Sequence, residues 1–225
     1  MHPKKLLNKE AKYVARCFKK KGKDKLCFHN FAHTRYVVKQ VKRIIRGMKL
    51  PENDVFVLLS AAWFYDTGYL LTGDTGTMSA FSAQAFLEDQ PEDKTIAPQV
   101  ASLLTAVYSR QKPQNLPEEI LSDAVQVYLA KRSFWKKNEL CRKETAWLQH
   151  RKISKAEWMQ VTLDFMEHHT YYTSYCRAAL DTAKQENLHK LRSKLQAVQT
   201  VQAVQATPVA DAVDDDEKKK TGTAN

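Results

Sequence analysis

The hydrophobic positions of this chain recur with the spacing of helices along nearly its whole length. Between Asn30 and Met48, Val37, Val38, Val41, Ile44 and Ile45 keep to one face, while Lys39, Lys42, Arg43 and Arg46 take the other. Pro51 and Asn53 open a second helix whose run Val55–Phe64 is apolar except for Ser60, as expected of a core helix, and which should stop near Gly68. Further helices are predicted over 79–87, 96–108 and 117–129; Pro117 in a first turn followed by Glu118 and Glu119 suits the helix dipole. A charged helix follows over 134–149. Ser154 with Glu157 reads as a capping box for a helix to His168, and a last helix is predicted over 174–195. No Asn-Gly or Asp-Gly joins two alternating runs, so strand signals are nearly absent. The pattern predicts an all-α helical bundle.

Composition changes after Leu195. Val198-Gln199, Val201-Gln202 and Val204-Gln205 form a near-repeat, followed by Pro208, the acidic run Asp214–Glu217 and Lys218–Lys220. Such a segment buries too little apolar surface to offset its ordering entropy. The expected organisation is therefore a helical domain over 1–195 and a disordered tail or linker over 196–225, a linker that could lead to a further segment of a longer protein.

The chain has 225 residues, enough for one domain with a proper core, and 43% of them are hydrophobic. No run approaches the ~20 apolar residues of a membrane span, and no apolar signal region follows His2, Pro3, Lys4 and Lys5. Cys17, Cys27, Cys141 and Cys176 make neither a CxxC pair nor a zinc-ligand spacing, so reduced thiols and a cytoplasmic location are expected. The net charge of +11 is concentrated in residues 1–50, where sixteen Lys or Arg face only Glu10 and Asp24. That half suits an anionic partner or, equally, a solvated lysine-rich helical face. Aromatics are not interleaved with the lysines as a base-stacking platform needs, which argues against nucleic acid.

Three ordered segments carry a resemblance. Phe28-His29-Asn30-Phe31-Ala32-His33-Thr34 is close to a "YHN..HT" opening, and Ala62-Trp63-Phe64-Tyr65-Asp66-Thr67-Gly68-Tyr69 to "ALFHDTGY". Residues 112–124, from Lys112 to Ala124, match "KP.NLLEEILCDADL", with a looser match at 169–173 and 184–188. Together they resemble the HD-domain family of helical, metal-dependent phosphohydrolases over residues 25–192, and the resemblance implies that helical bundle. In the family, a histidine, a His-Asp pair and a distal aspartate hold a divalent metal such as Mn or Mg, which polarises a phosphate and activates water. The resemblance places His33 and Asp66 at two of those positions. At the other two stand Tyr65, whose phenol (pKa ~10) is a poor ligand, and Val125. Asp123 lies two residues earlier, a helical rotation of ~200°.

A vestigial metal site, His33 and Asp66, is therefore expected inside a surviving frame. The leading expectation is a sensor that binds a nucleotide-like anion without hydrolysing it and without a cofactor. His29, His33, Tyr65, Asp66, Lys112, Lys131 and Tyr171 are the candidate ligand-binding residues; His168 and His169 serve as helix-end packing or line the pocket. The pattern is also similar to HD modules placed before a membrane segment in Pycsar-type antiphage effectors, which respond to cyclic pyrimidine mononucleotides. That implies antiviral defense, with membrane contact only through a segment outside this chain. Two alternatives stand beside it. One is an active phosphohydrolase with His29 and an inward-turned Asp123 as replacement ligands. The other is a structural oligomerisation module.

Overall fold

The computed structural model describes residues 3–22, 24–90 and 95–206. Among them the chain forms α1 (Pro3–Lys21), α2 (Phe31–Ile44), α3 (Glu52–Phe64), a 3-10 segment (Tyr65–Leu70), α4 (Thr75–Glu88), α5 (Ile96–Tyr108), α6 (Leu116–Gln126), a second 3-10 segment (Val127–Ala130), α7 (Phe134–Leu148), α8 (Lys155–His168) and α9 (Ser174–Ala206). No strand occurs among these residues, and the fold is all-α as the hydrophobic spacing requires. None of these helices is long and apolar enough to cross a membrane.

The central helix is α3, whose Phe56–Ala62 and Phe64 are buried on every side. It is apolar all round because α1, α2, α4, α5 and α6 all pack against it. Starting at α1, the main core takes Leu6, Val14 and Phe18, continues through α2 to α6, and closes on Tyr171, Cys176 and Leu180. Leu129, Phe134, Leu163, Met166, Leu188, Leu191 and Leu195 form a smaller second core, where α8 and the second 3-10 segment pack on α9.

Local chemistry sets the helix ends. The Asn30 side chain accepts from the backbone N–H of Ala32 and His33 at 3.0 and 3.1 Å and so starts α2. Asn115 caps α6 one residue earlier than the proline suggested, with Pro117 in the first turn. Ser154 caps α8 through the Glu157 N–H at 3.1 Å, but the Glu157 carboxylate pairs with Arg151, so only half of the expected box forms.

Three expectations change. Residues 3–21, given no element of their own in the sequence reading, form α1, where Leu6, Glu10, Val14 and Phe18 recur every four residues and face the core. Helix α4 starts at Thr75 rather than Ser79, because Asp74 accepts from the Thr77 N–H at 2.8 Å, and Gly76 lets the first turn press on Tyr108, whose Cβ would stand 2.6 Å from an added side-chain carbon. Finally, α9 continues to Ala206, so residues 196–206 are helical where disorder was expected. With neither Gly nor Pro before Pro208, nothing in the sequence stops the helix. The remainder of the expected tail, with its acidic and lysine runs, lies outside the described residues.

Among the described side chains packing nevertheless ends at Leu195, since Gln196, Ala197, Gln199, Thr200 and Val201 are exposed and Val198 only half-buried. Removing the chain after Leu195 is expected to change the melting temperature by less than about 2 °C, as surface changes away from packed or capped positions cost little. A drop of 5 °C or more in a thermal melt would show that these residues pack on the domain.

Candidate functional site

The segment following α3 brings the first two candidate residues together. Its 3-10 turn is clamped from outside: Ser79 Oγ donates to the Tyr65 carbonyl at 2.7 Å and accepts from the Gly68 N–H at 2.9 Å, and the Tyr108 hydroxyl donates to the same carbonyl at 2.6 Å. Gly68 is required here, because a Cβ would lie 2.0 Å from the Thr75 carbonyl oxygen. The clamp aims Asp66 at α2, where its Oδ2 lies 2.9 Å from His33 Nδ1 and accepts from Thr34 Oγ at 2.9 Å.

Both residues are buried, Asp66 completely. Burial works against the Asp66 carboxylate, but the His33 charge and hydrogen bond, with His29 and the Thr34 hydroxyl, outweigh it and hold the group below its usual range. An ionised Asp66 can only accept, so Nδ1 carries the proton. The second atom of each group, His33 Nε2 and Asp66 Oδ1, is buried without a hydrogen-bond partner.

Of the other candidates, His29 is engaged elsewhere. Its Nδ1 lies 2.5 Å from Glu144 Oε1, and its ring stacks on Tyr69 with centroids 3.9 Å apart. Glu144, on α7 and only 1% exposed, also accepts from the backbone N–H of Phe28 and His29 at 2.7 and 3.0 Å. It ties the strand-free segment before α2 to α7. Tyr65 stacks on Tyr108 with centroids 4.6 Å apart, and burial followed by the Asp66 charge raises its phenol well above the ordinary range. Such a phenol is a hydrogen-bond donor rather than a metal ligand.

Tyr171 is 1% exposed and its hydroxyl donates to the Gln126 carbonyl at 3.1 Å, so its ring is core and not an open stacking surface. Lys112 is exposed in the connection between α5 and α6. Lys131 caps the second 3-10 segment and is half-buried. His168 is exposed, bonded to the Asp164 carbonyl, whereas His169 is half-buried, its pKa lowered to about 4 by desolvation and the nearby Lys184.

Asp123 does not turn toward His33. Its carboxylate accepts from Tyr172 N at 2.8 Å, Thr173 N at 2.8 Å and Thr173 Oγ at 2.7 Å, and thereby holds the α8–α9 connection against α6. Val125 is 5% exposed and packs in the core. The donor set thus does not fit a divalent metal centre, which needs more than one imidazole and one carboxylate already bound to each other. Among the described residues no three His, Cys, Asp or Glu side chains converge on one point.

Two open hollows lie elsewhere on the surface. One of about 350 Å³ is lined by Lys9, Lys12, Tyr13, Arg16, Phe86 and their neighbours; another of about 530 Å³ lies between α3, α5 and the start of α6. Neither includes His33 or Asp66.

Sequence reasoning missed Glu144, which appeared only as one charge in a charged helix, and Tyr36. The signal for Tyr36 was present: it follows His33 by three residues on α2, and the two rings lie nearly parallel with centroids 6.4 Å apart. Comparison with models of known protein families, with curated proteins and with solved structures found no match.

Proposed function

We propose that this chain is an HD-like helical domain that has kept the frame of a phosphohydrolase without its metal chemistry, and that it binds a nucleotide-like anion as a sensor in the cytoplasm. The observation that carries the reading is the His33–Asp66 pair, which spans α2 and the 3-10 turn after α3 and leaves His33 Nε2 and Asp66 Oδ1 without partners. Buried polar atoms without partners are costly, and they mark places where a ligand's polar groups add binding energy. Cyclic and linear nucleotides both fall within the reading, because recognition does not require cleavage. In an antiphage system of the Pycsar type, ligand binding would be the signal and a membrane segment or oligomer outside this chain the output.

Hydrolysis is the less supported reading, since Asp123 is committed to the α8–α9 connection and His29 to Glu144. A purely structural module draws on Val161 and Phe165, 51% and 38% exposed one turn apart on α8, as an apolar contact.

A thermal-shift series with cyclic and linear nucleotides, with and without manganese, tests the proposal. Binding to the folded state alone adds about 2.7 kcal/mol at a hundredfold excess over Kd, a rise of roughly 5–10 °C for a domain of this size. The rise is expected without manganese and should vanish in His33→Ala, provided that this variant melts cooperatively on its own. No rise with any nucleotide overturns the proposal, and a rise that requires manganese favours the hydrolase.

A further inference from the structure

Beside Tyr36, one turn from His33 on α2, stand basic side chains that no ion pair among the described residues takes up. Lys137, on α7, holds its Nζ 3.5 Å above the Tyr36 ring and 5.9 Å from that of Tyr128. The Tyr36 hydroxyl is buried and makes no hydrogen bond. Arg43, two turns further along α2, donates through Nε to the Tyr175 hydroxyl at 3.1 Å, and its charge acts on both Tyr36 and Lys131. None of the ion pairs among the described residues involves Arg43, Lys131 or Lys137.

Resting on the reading above, we infer that Lys137 and Arg43, beside Tyr36, together with Lys131 form the seat for the phosphate of the ligand, and that this seat favours a dianionic phosphoryl group. The position follows from α2: Tyr36 stands one turn from His33, their ring centroids 6.4 Å apart, so a phosphate at Tyr36 lies beside the His33–Asp66 pair.

Charge explains the choice of ligand. Half-buried lysines are destabilised when no anion is near, and both are held below their usual pKa, Lys137 by desolvation and Lys131 by desolvation and then by the like charge of Arg43. Two ammonium groups, a guanidinium and a phenol offer more donors than a carboxylate can accept. The three terminal oxygens of a phosphomonoester or pyrophosphate can use them, through charge-assisted hydrogen bonds. Tyr36 keeps its proton, since burial lifts its pKa to about 12 despite Arg43, and so is a donor to phosphate at every physiological pH.

Calorimetric titration with inorganic pyrophosphate tests the seat on the whole chain. Lys131→Met and Lys137→Met remove the charge and keep the apolar stem, so both variants should fold at least as well as the parent. The wild type is expected to bind pyrophosphate, each lysine variant to lose about tenfold in affinity, and Tyr36→Phe to lose several-fold; Lys19→Met, in the basic last turn of α1, should bind as the wild type does. No binding at millimolar pyrophosphate, or equal binding by the wild type and both lysine variants, overturns the seat. A nucleotide shift that survives both lysine changes also overturns it and leaves the sensor reading standing. Pyrophosphate binding that depends on the lysines, with no nucleotide binding more tightly, supports the seat and sinks the nucleotide reading instead.

Discussion

Glu144→Ala is expected to lower the melting temperature by about 10 °C. The carboxylate is buried and accepts from two backbone N–H groups, those of Phe28 and His29, and from the His29 ring. Alanine leaves those buried donors without acceptors, at about 1–3 kcal/mol each and roughly 3–5 kcal/mol in total. At about 2–4 °C per kcal/mol for a domain of this length, the shift follows. Glu144→Gln keeps one acceptor oxygen and should recover about half of the loss. The effect extends to the site: the segment held by Glu144 ends in Asn30, whose side chain caps α2 three residues before His33. Ligand binding by the alanine variant should therefore weaken below its own melting temperature. A melt within 2 °C of the wild type would show that this carboxylate does not hold the segment.

Glu10→Gln is expected to act in the opposite direction, and only at high pH. Glu10 is fully buried on the core face of α1, bonded to Ser60 Oγ at 2.9 Å through one oxygen while the other has no partner. Desolvation raises its pKa from 4.5 to about 8, outweighing the Ser60 hydrogen bond. Between those values the folded chain holds a proton that the unfolded chain has released. Stability is therefore lost as pH rises from about 4.5 to about 8, and the loss levels off above that. Each pH unit inside the window costs up to about 1.4 kcal/mol, so the wild type should be less stable at pH 8 than at pH 5 by on the order of 4 kcal/mol from this group alone. The glutamine variant has the same shape and no charge to desolvate. Its melting temperature should match the wild type near pH 5 and exceed it by about 10 °C near pH 8. Parallel pH profiles for the two proteins would mean that Glu10 reaches water or an unrecognised partner when ionised.

Glu10 also shows how the sequence misleads. In residues 1–50 it stands as one of two acids among sixteen bases, and the natural reading is a solvated lysine-rich face. The four-residue spacing of Leu6, Glu10, Val14 and Phe18 carried the contrary message, that Glu10 falls on the buried stripe. Net charge describes the outer surface of α1, whereas spacing describes the inner one.

The sequence by itself determined the helical class, seven helices to within about four residues at both ends, and the burial of most of the Val55–Phe64 run. Those properties are local: they follow from hydrophobic period and from capping residues such as Asn30 and Ser154, each acting within one turn. It also selected His33 and Asp66, thirty-three residues apart, which the structure joins at 2.9 Å. What only the tertiary structure decided is where the remaining polar groups are spent. Glu144 is 115 residues from His29, Asp123 is 50 from Thr173, and Lys137 meets the Tyr36 ring from another helix. Such partners are set by how helices cross, which depends on side-chain shape across the whole interface and leaves no periodic trace in the chain. Tyr171 makes the same point in reverse: the sequence placed it among the candidate ligand-binding residues, and its packing made it core.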